Sequence, residues 1–414
     1  MSRLKAAVRN TAMKFGPTKK FYNLLEEIKH KRLMKKYSAQ PVNGRLVMFE
    51  AYKGRSFACS PKAIYLEMLN DPDFADTHFV WVFNSPEKQT ELKRMPRTTV
   101  THKLSPEHIE AALTAGIIVT NSRLVRALPQ RPGQFVLQTW HGTPLKRLGL
   151  DIAIEGKGVE SLEEIHREYK KDGELLSALL SPSPYATEHL ASAFGLPADS
   201  EKIWETGYPR NDFLFNFTEE DVKKVRERLG IPKGKKVILY APTFRDKDFV
   251  RDKGYHNILY ADLERLKKCF GDEYVLILRK HYFAAEGDYP LPEDFVIDGN
   301  TTDDINELYI VSDILITDYS SVMYDYAALK RPMVFFMPDL DEYRNSIRDF
   351  YMDPQLLPGP VITTQEELEN ELDAIAGGRT ETDFDAFLAR FQPYEDGKRA
   401  AEVVGRLKRA TGMK

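Results

Sequence analysis

Two histidines follow predicted strands in separate halves of this 414-residue chain, and this pairing limits the possible folds more than any other feature. His141 comes directly after the apolar run 134–139, and His281 closely follows the run 274–278. Parallel sheets bind ligands beyond the carboxyl ends of their strands. One such end in each half predicts two Rossmann-like α/β domains that face each other across a single cleft.

Length and composition fit two domains with separate cores, since 42% of the residues are apolar. Cys59 and Cys269 are far apart and lack the spacing of metal ligands, which favours a reducing, intracellular compartment. No apolar run reaches the roughly 18 residues that a membrane-spanning helix needs, and the start lacks the apolar core of a signal peptide.

The first part of the chain, 1–40, is a basic leader. Residues 1–37 contain eleven Lys or Arg, interleaved with apolar residues, and only Glu26 and Glu27 are acidic. Such a segment is attracted to anionic lipid by about 1 kcal/mol per near-surface charge. We therefore expect an amphipathic helix that docks peripherally on an anionic membrane surface. A solvated basic arm or a nucleic-acid contact is the alternative, but no nucleic-acid motif appears elsewhere.

Strand and helix patterns alternate after residue 40, as in parallel sheets covered by helices. A second series begins near Trp204, and Gly207–Arg210 is the predicted hinge, which divides the chain into domains 41–205 and 206–414. Ser60-Pro61 and Ser105-Pro106 are the predicted starts of two helices. The predicted strands are 45–50, 78–83, 98–102, 116–120, 134–139, 175–181, 236–240, 274–278, 294–297, 313–317 and 333–336. The predicted helices are 61–70, 106–115, 218–229, 258–270, 303–312, 321–330, 381–391 and 396–411.

Several common nucleotide and metal motifs do not occur. No G-x-G-x-x-G follows a strand, which argues against a nicotinamide or flavin dehydrogenase, and 230–236 lacks the spacing and final Ser or Thr of a P-loop. Four Asp-x-Asp pairs are scattered through an acid-rich sequence, and no pair clearly follows a buried strand. We therefore expect no metal ion and no other cofactor.

The segment Trp140-His141-Gly142-Thr143-Pro144 predicts the catalytic end of the first domain. A neutral imidazole is a suitable general base for a hydroxyl nucleophile. Gly142 permits close backbone approach, and Pro144 suits the start of the next turn.

The second domain carries three strand ends suited to anions. They are the end with Pro242, Thr243 and Arg245, the end with Arg279, Lys280 and His281, and Ser320-Ser321 at the mouth of the predicted helix 321–330. Local roles are the alternatives. Ser320 and Ser321 are suited to simple helix capping, and Arg245 to an ion pair with Asp246 or Asp248. Asp325 suits either a ribose or polyol contact or helix stabilisation, and Arg210 either the cleft or a pair with Asp212.

Several of these segments together resemble the CDP-glycerol glycerophosphotransferase family. The resemblance rests on Gln138–Lys146, Thr206–Asp212, Tyr240–Arg245, Asp313–Val322 and Lys330–Pro332, and it extends from about residue 45 to about residue 395. Ser60 stands where many members have Asn before Pro-Lys-Ala-Ile-Tyr, a like-for-like exchange of capping residues.

The resemblance implies a two-domain fold of the glycosyltransferase-B type and a role in teichoic acid biosynthesis. Such an enzyme transfers glycerol phosphate from CDP-glycerol to a polyprenyl-diphosphate-linked saccharide at the cytoplasmic face of the membrane and releases CMP. The resemblance makes His141 the base, and we take His281 as a second catalytic candidate. The implied substrate-binding residues are Trp140, Gly142, Thr143, Pro144, Arg210, Pro242, Thr243, Arg279, Lys280, Ser320, Ser321 and Asp325. We add Arg245 because of its positive charge at a strand end. Many polymerases of the family carry a long additional N-terminal region, which favours a primase-like or short transferase here.

Three alternatives remain open at this level. The first is a CDP-ribitol transferase, because ribitol and glycerol present similar hydroxyls to the same kind of cleft. For either alditol, the motifs fit a primase as well as a polymerase. A nucleotide-sugar glycosyltransferase of the same fold would release UDP or GDP. A membrane-associated scaffold with a degenerate transferase fold would bind no nucleotide.

Overall fold

Two all-parallel sheets form the framework of the protein. The structure is a computed structural model that describes residues 16–123, 128, 130–153, 161–243, 249–250, 254–255, 259–279, 291–340, 350–352, 356–379 and 383–413. Each sheet has its first strand next to its fourth, the arrangement of doubly wound α/β folds, in which ligands bind where the strand order reverses. The predicted fold of two facing Rossmann-like α/β domains is confirmed.

The first sheet has seven parallel strands in the order β3-β2-β1-β4-β5-β6-β7. Its strands are β1 (Asn43–Glu50), β2 (His78–Phe83), β3 (Thr98–His102), β4 (Ala115–Thr120), β5 (Phe135–Gln138), β6 (Ala178–Ser181) and β7 (Ile203–Glu205). The helices of this part are α1 (Gly16–Ser38), α2 (Cys59–Asn70), α3 (Pro106–Thr114), α4 (Leu162–Leu175) and α5 (Pro184–Phe194).

The second sheet has six parallel strands in the order β12-β11-β8-β13-β14-β15, with a separate hairpin of β9 and β10. Its strands and the hairpin are β8 (Lys236–Ala241), β9 (Phe249–Val250), β10 (Gly254–Tyr255), β11 (Tyr274–Leu278), β12 (Val296–Asp298), β13 (Ile314–Thr317), β14 (Met333–Phe336) and β15 (Val361–Ile362). The remaining helices are α6 (Asp212–Asn216), α7 (Glu219–Arg228), α8 (Leu263–Phe270), α9 (Ile305–Val311), α10 (Val322–Tyr326), α11 (Gln365–Ala376), α12 (Phe384–Phe391) and α13 (Arg399–Thr411).

The central strands are buried on both faces, as their apolar sequences require. Every residue of β4, β6, β11, β13 and β14 is buried. In the first sheet an aromatic group packs between strands and helices, with Phe49 stacked on Trp81 at 5.1 Å between ring centroids and Tyr65 edge-on to both. Such a core fixes the strand ends rigidly, and those ends carry the candidate site.

Several predicted boundaries were wrong for identifiable reasons. Helix α2 begins at Cys59, and its capping position Ala58 makes no side-chain cap bond, so Ser60 lies inside the first turn. The predicted strand 175–181 is shorter, since Leu175 ends helix α4. Trp204 belongs to β7 of the first sheet and not to the second series. The predicted helix 321–330 is the five-residue α10 followed by a 3-10 turn at Ala327–Leu329.

The last helix returns to the first sheet. Val403, Val404 and Leu407 of α13 are buried in the same core as Phe49 and Trp81. Nζ of Lys408 lies 2.7 Å from a carboxylate oxygen of Asp71 and of Asp73, next to α2. The carboxylate of Asp212, just after the hinge, accepts hydrogen bonds from the backbone N–H groups of Arg399 (2.8 Å) and Ala400 (2.7 Å), which anchors the start of α13.

The last residues of the basic leader pack against the first domain. Tyr37 is buried against Ile109 and Leu113 of α3, with Leu33 and Met34 packed beside them. The leader before residue 16 lies outside the described residues. Within the described ranges, no helix is both long and apolar enough to cross a bilayer.

Candidate active site

The carboxyl ends of the two sheets face one cavity of about 470 Å³, a volume within the usual range for nucleotide-sized ligands. The first domain contributes loops after β1 and β5 and the start of α2. The second contributes loops after β8, β11, β12 and β13. The lining residues used below are Tyr52, Arg55, Cys59, His141, Arg210, Pro242, Arg279, Thr302, Asp303, Asp304, Asn306, Tyr309, Ser320, Ser321 and Asp325.

His141 is held in one orientation at the first-domain side of the cavity. Its Nδ1 lies 2.6 Å from the backbone carbonyl oxygen of Asn121, at the end of β4. A carbonyl only accepts hydrogen bonds, so Nδ1 carries the proton and Nε2 of the neutral ring keeps its lone pair. His141 is exposed to the cleft, yet the protein around the ring lowers its pKa to about 4. Desolvation is the main cause, and the positive charges of Arg210 and Lys53 add to it.

The loop after β1 supports this histidine and was missed in the sequence. Tyr52 and Lys53 both adopt positive φ angles, +47° and +57°. Their backbone N–H groups donate to Asn121 Oδ1 at 2.7 Å and to Ser122 Oγ at 3.2 Å. The Tyr52 ring lies edge-on to His141, with 6.0 Å between centroids. Tyr52 follows β1 and Asn121 follows β4, the two strands between which the strand order reverses. Ligands bind beyond the carboxyl ends of such strands, so this rule also predicts Tyr52 and Asn121 as site residues.

The remaining residues of the His141 segment anchor the loop. Trp140, with φ +51°, is buried against Tyr169 and Phe194 rather than in the cavity wall. Thr143 is 2% exposed, and the carbonyl of Pro144 accepts a hydrogen bond from the Tyr185 hydroxyl at 2.9 Å.

Gly142 brings the two domains together. A Cβ placed on it would lie 2.4 Å from Oγ and 3.0 Å from Cβ of Ser321, so the backbone of the first domain touches the second there. This contact requires glycine, because any larger residue would push the two loops apart. It brings the His141 segment next to the Ser320-Ser321 turn.

Arg210 lines the cavity and forms a buried ion pair with Asp325, so of its two predicted alternatives the structure supports the cleft and not a pair with Asp212. The guanidinium donates from Nη2 to Oδ1 at 2.9 Å and from Nε to Oδ2 at 3.2 Å, and the side chains are only 4% and 8% exposed. The arginine also lies over the Tyr208 ring at 4.1 Å. Asp325 therefore uses both carboxylate oxygens to hold Arg210 beside the cavity. The sequence predicted a ribose or polyol contact or helix stabilisation for Asp325, and neither alternative included this role.

The second-domain loops present backbone and cationic groups. The backbone N–H of Thr243 donates to Asp318 at 2.8 Å, which orients the Pro242-Thr243 turn at the end of β8. Arg279 donates from Nη1 to the carbonyls of Gly299 (2.7 Å) and Thr302 (2.5 Å). Burial lowers the pKa of Arg279. Its guanidinium thus supports the wall of the cavity as well as lining it.

The Ser320-Ser321 turn lies at the end of β13. Ser320 Oγ accepts from the backbone N–H of Val322 at 3.4 Å, whereas Ser321 makes no side-chain cap bond. Helix α10 has only five residues, so its dipole is smaller than that of the predicted ten-residue helix. Arg245, Lys280 and His281 lie outside the described residues.

Three hydrogen bonds close the cleft from the first-domain side. The backbone N–H of Phe57 donates to Asp303 at 3.2 Å, and Nζ of Lys62 to Asp304 at 2.8 Å. The backbone N–H of Arg210 donates to Ser60 Oγ at 3.4 Å, which gives Ser60 a tertiary role in place of the predicted cap.

Two further observations concern the rest of the molecule. In the part of the chain that the structure describes, no three His, Cys, Asp or Glu side chains lie close enough together to hold a metal ion. A cavity of about 660 Å³ between Pro358 and Phe384 is larger than the cleft, but none of the predicted site residues lines it. Chemistry, not volume, therefore identifies the cleft as the candidate site.

Known proteins resemble the chain over most of its length. It is 37% identical over 370 residues to the teichoic acid poly(glycerol phosphate) polymerase of Bacillus spizizenii, which covers 89% of this chain and 93% of that protein. The corresponding polymerase of Bacillus subtilis is 38% identical over 97% of this chain, which spans only 54% of it. Since a relative of similar length is called a polymerase, length does not favour a primase.

A solved structure has the same fold. A variant of the wall teichoic acid polymerase TagF soaked with CDPG superposes with a TM-score of 0.81 at 33% identity, over 95% of this chain and 98% of that one. The family model described as CDP-Glycerol:Poly(glycerophosphate) glycerophosphotransferase matches residues 33–409. The chain therefore belongs to this family of teichoic acid glycerol-phosphate transferases.

Proposed function

We propose that this protein transfers glycerol phosphate from CDP-glycerol to a membrane-lipid-linked saccharide and releases CMP. The observation that carries the proposal is the contact between Gly142 and Ser321. It joins a neutral histidine with a free Nε2 to the turn that the family resemblance places in the CDP-glycerol pocket. Membership of the glycerophosphotransferase family supports glycerol phosphate as the transferred group.

The reaction follows from the orientation of His141. Nε2 accepts the proton of an acceptor hydroxyl as its oxygen attacks the β-phosphorus of the donor. The new oxygen–phosphorus bond forms while the bond from the β-phosphorus to the bridging oxygen breaks, and that oxygen leaves on CMP with the electron pair. A pKa near 4 keeps the ring neutral at pH 7 but makes it a weak base. Positioning and charge stabilisation therefore contribute most of the acceleration.

The charged groups in the cavity have distinct roles in this scheme. Arg210, held by Asp325, supplies positive charge that does not move during the reaction. The Ser320-Ser321 turn offers backbone N–H groups to phosphate oxygens. The roles of Arg245, Lys280 and His281 in neutralising the leaving CMP, with His281 as a second catalytic group, rest on their positions in the sequence.

The proposed location is the cytoplasmic face of the cell membrane, where a polyprenyl-diphosphate-linked acceptor is anchored. Ile28 and Leu104 are 39% and 52% exposed. Leu104 lines a groove between α1 and the start of α3 together with Lys29 and His30, and Ile28 precedes Lys29 on α1. Apolar groups beside positive charges are the features that bind anionic lipid surfaces. An Ile28→Asp/Leu104→Asp variant should lose binding to anionic vesicles, and unchanged binding would contradict this location.

A product assay tests the proposed reaction. Purified protein is incubated with a lipid-linked disaccharide and either CDP-glycerol or CDP-ribitol, and CMP and the acceptor mass are measured. We expect CMP and glycerol phosphate addition with CDP-glycerol, and none with His141→Ala. His78→Ala, which alters an exposed histidine on β2, is the matched control and should remain active. Turnover of CDP-ribitol alone would show a ribitol-phosphate transferase instead. Consumption of a UDP-sugar alone would show a glycosyltransferase instead.

A further inference from the structure

Three neighbouring residues that line the cavity on its second-domain side each carry a buried polar atom without a hydrogen-bond partner. Among the described residues, no group pairs with Oγ1 of Thr302, Oδ1 of Asn306 or the hydroxyl of Tyr309. The three residues are 3%, 1% and 0% exposed, and all three line the cavity. Buried polar atoms are nearly always paired, so three unpaired ones on one cavity wall indicate a ligand.

The other polar groups of these residues are already used within the protein. Asn306 donates from Nδ2 to the backbone carbonyl of Arg210 at 2.5 Å, and the carbonyl of Thr302 accepts from Arg279 at 2.5 Å. The Tyr309 ring packs edge-on to Tyr326 at 5.7 Å. The residues are therefore fixed in place, and each keeps one polar atom that pairs with no described group. The charged groups that act on the Tyr309 hydroxyl, Asp325, Arg210, Arg279 and Asp304, all line that cavity.

The chemistry of this wall suits a neutral, hydroxyl-bearing group. The amide oxygen of Asn306 only accepts hydrogen bonds, whereas the two hydroxyls both donate and accept. The carboxylates of Asp303 and Asp304 line the same wall and disfavour an anion. Phosphate is better placed towards Arg210 and the Ser320-Ser321 turn. A vicinal diol, which both donates and accepts at adjacent positions, matches the three atoms.

We propose that Thr302, Asn306 and Tyr309 form a subsite for a vicinal diol of the donor, an inference that rests on the proposed function. CDP-glycerol carries two such diols, one on the ribose and one on the glycerol. The subsite would hold one of them and so orient the diphosphate relative to His141. Binding of CMP, which retains only the ribose diol, separates the two sources.

Tyr309→Phe and Thr302→Val test this subsite, since each removes a hydroxyl and little else. Affinities for CDP-glycerol and CMP are measured by calorimetry on the full chain, with Tyr324→Phe as the matched control. The Tyr324 ring is also fully buried, but it packs on Phe387 and Phe391 away from the cleft. Each variant should bind CDP-glycerol about tenfold more weakly, and melting temperatures should not fall, because the removed hydroxyls have no partner in the described protein.

The outcomes are distinct. An equal loss for CMP assigns the subsite to the ribose, and a loss for CDP-glycerol alone assigns it to the glycerol. Affinities within twofold of the unaltered protein for both ligands would overturn the subsite and leave the proposed function intact. Failure of the unaltered protein to bind either ligand would overturn both proposals.

Discussion

Arg210 and Asp325 are joined by two hydrogen bonds inside the protein, and the pair connects the hinge after β7 to the short helix after β13. Both side chains are almost fully removed from water. Removing one partner of such a pair leaves an uncompensated buried charge. The pair therefore fixes the hinge to the second domain and holds a cation beside the cleft.

Arg210→Ala should lower the free energy of unfolding by about 3–5 kcal/mol and abolish turnover. Chemical denaturation and CMP release measure the two effects. Arg265→Ala is the matched control, since Arg265 pairs with Glu369 at 2.6 Å but is 51% exposed, and its loss should lower stability far less than the loss of Arg210. Similar losses of unfolding free energy in the two variants would show that the buried pair stabilises the fold no more than an exposed pair does.

A double variant separates structure from function at the same pair. Arg210→Met with Asp325→Leu replaces both charges with apolar groups, so most of the lost stability should return. Turnover should stay absent, because the cleft has lost a cation. Recovery of activity in this double variant would contradict a role for Arg210 at the diphosphate.

Gly142→Ala should lower kcat/KM by at least about tenfold with a change of less than about 1 kcal/mol in unfolding free energy. The added methyl group would meet Ser321 and force the His141 segment away from the second domain, and displacements of about 1 Å at a reacting centre cost on the order of 100-fold. Gly44→Ala is the control, because a Cβ there meets no atom within 4 Å. Equal kcat/KM values for the two variants would show that turnover does not depend on the contact between Gly142 and Ser321.

The pH dependence of kcat/KM should show no acid limb near pH 6.5. The lowered pKa of His141 keeps Nε2 unprotonated above about pH 4, so the rate should be level between pH 5 and pH 7 and fall only near pH 4. The same shift means that the unfolded chain binds more protons there, so stability rises as pH increases from about 4 to 6.5. A halving of kcat/KM at pH 6.5 that depends on His141 would contradict the lowered pKa of this histidine.

Glu395 should make the fold less stable in alkaline solution. Its Oε1 accepts from the backbone N–H of Tyr208 at 2.8 Å, and burial raises its pKa to about 8, with Asp212 and Asp325 adding to the rise. The folded state therefore binds more protons than the unfolded state between about pH 4.5 and 8. Stability is complete below that window and is lost as pH rises through it, by an amount on the order of 5 kcal/mol.

The measurement for Glu395 is unfolding free energy at pH 5, 7 and 9. Glu395→Gln keeps an acceptor for Tyr208 but cannot ionise, so its stability should vary less with pH. Glu87→Gln, at an exposed position, should retain the slope of the unaltered protein. An unchanged slope in Glu395→Gln would assign the pH dependence to other groups, such as Asp212, whose pKa burial raises to about 6.

Local patterns predicted the framework well. Long apolar runs such as 274–278 and 333–336 indicated buried parallel strands with correct bounds, because a strand covered on both faces has no polar alternation. Ser105 caps its helix as predicted, since capping depends on a side chain and the backbone three residues later. Ser60 did not follow this rule, because its hydroxyl meets the backbone of Arg210, 150 residues further along the chain.

The sequence alone was enough to predict two facing α/β domains, the family, and the strand ends where the chemistry lies, because these depend on local apolar runs and short motifs. Only the tertiary structure decided which groups meet. It paired Arg210 with Asp325, set Gly142 against Ser321, and left Thr302, Asn306 and Tyr309 each with an unpaired polar atom. These contacts join residues that are distant in sequence, and they form only when two rigid sheets pack face to face.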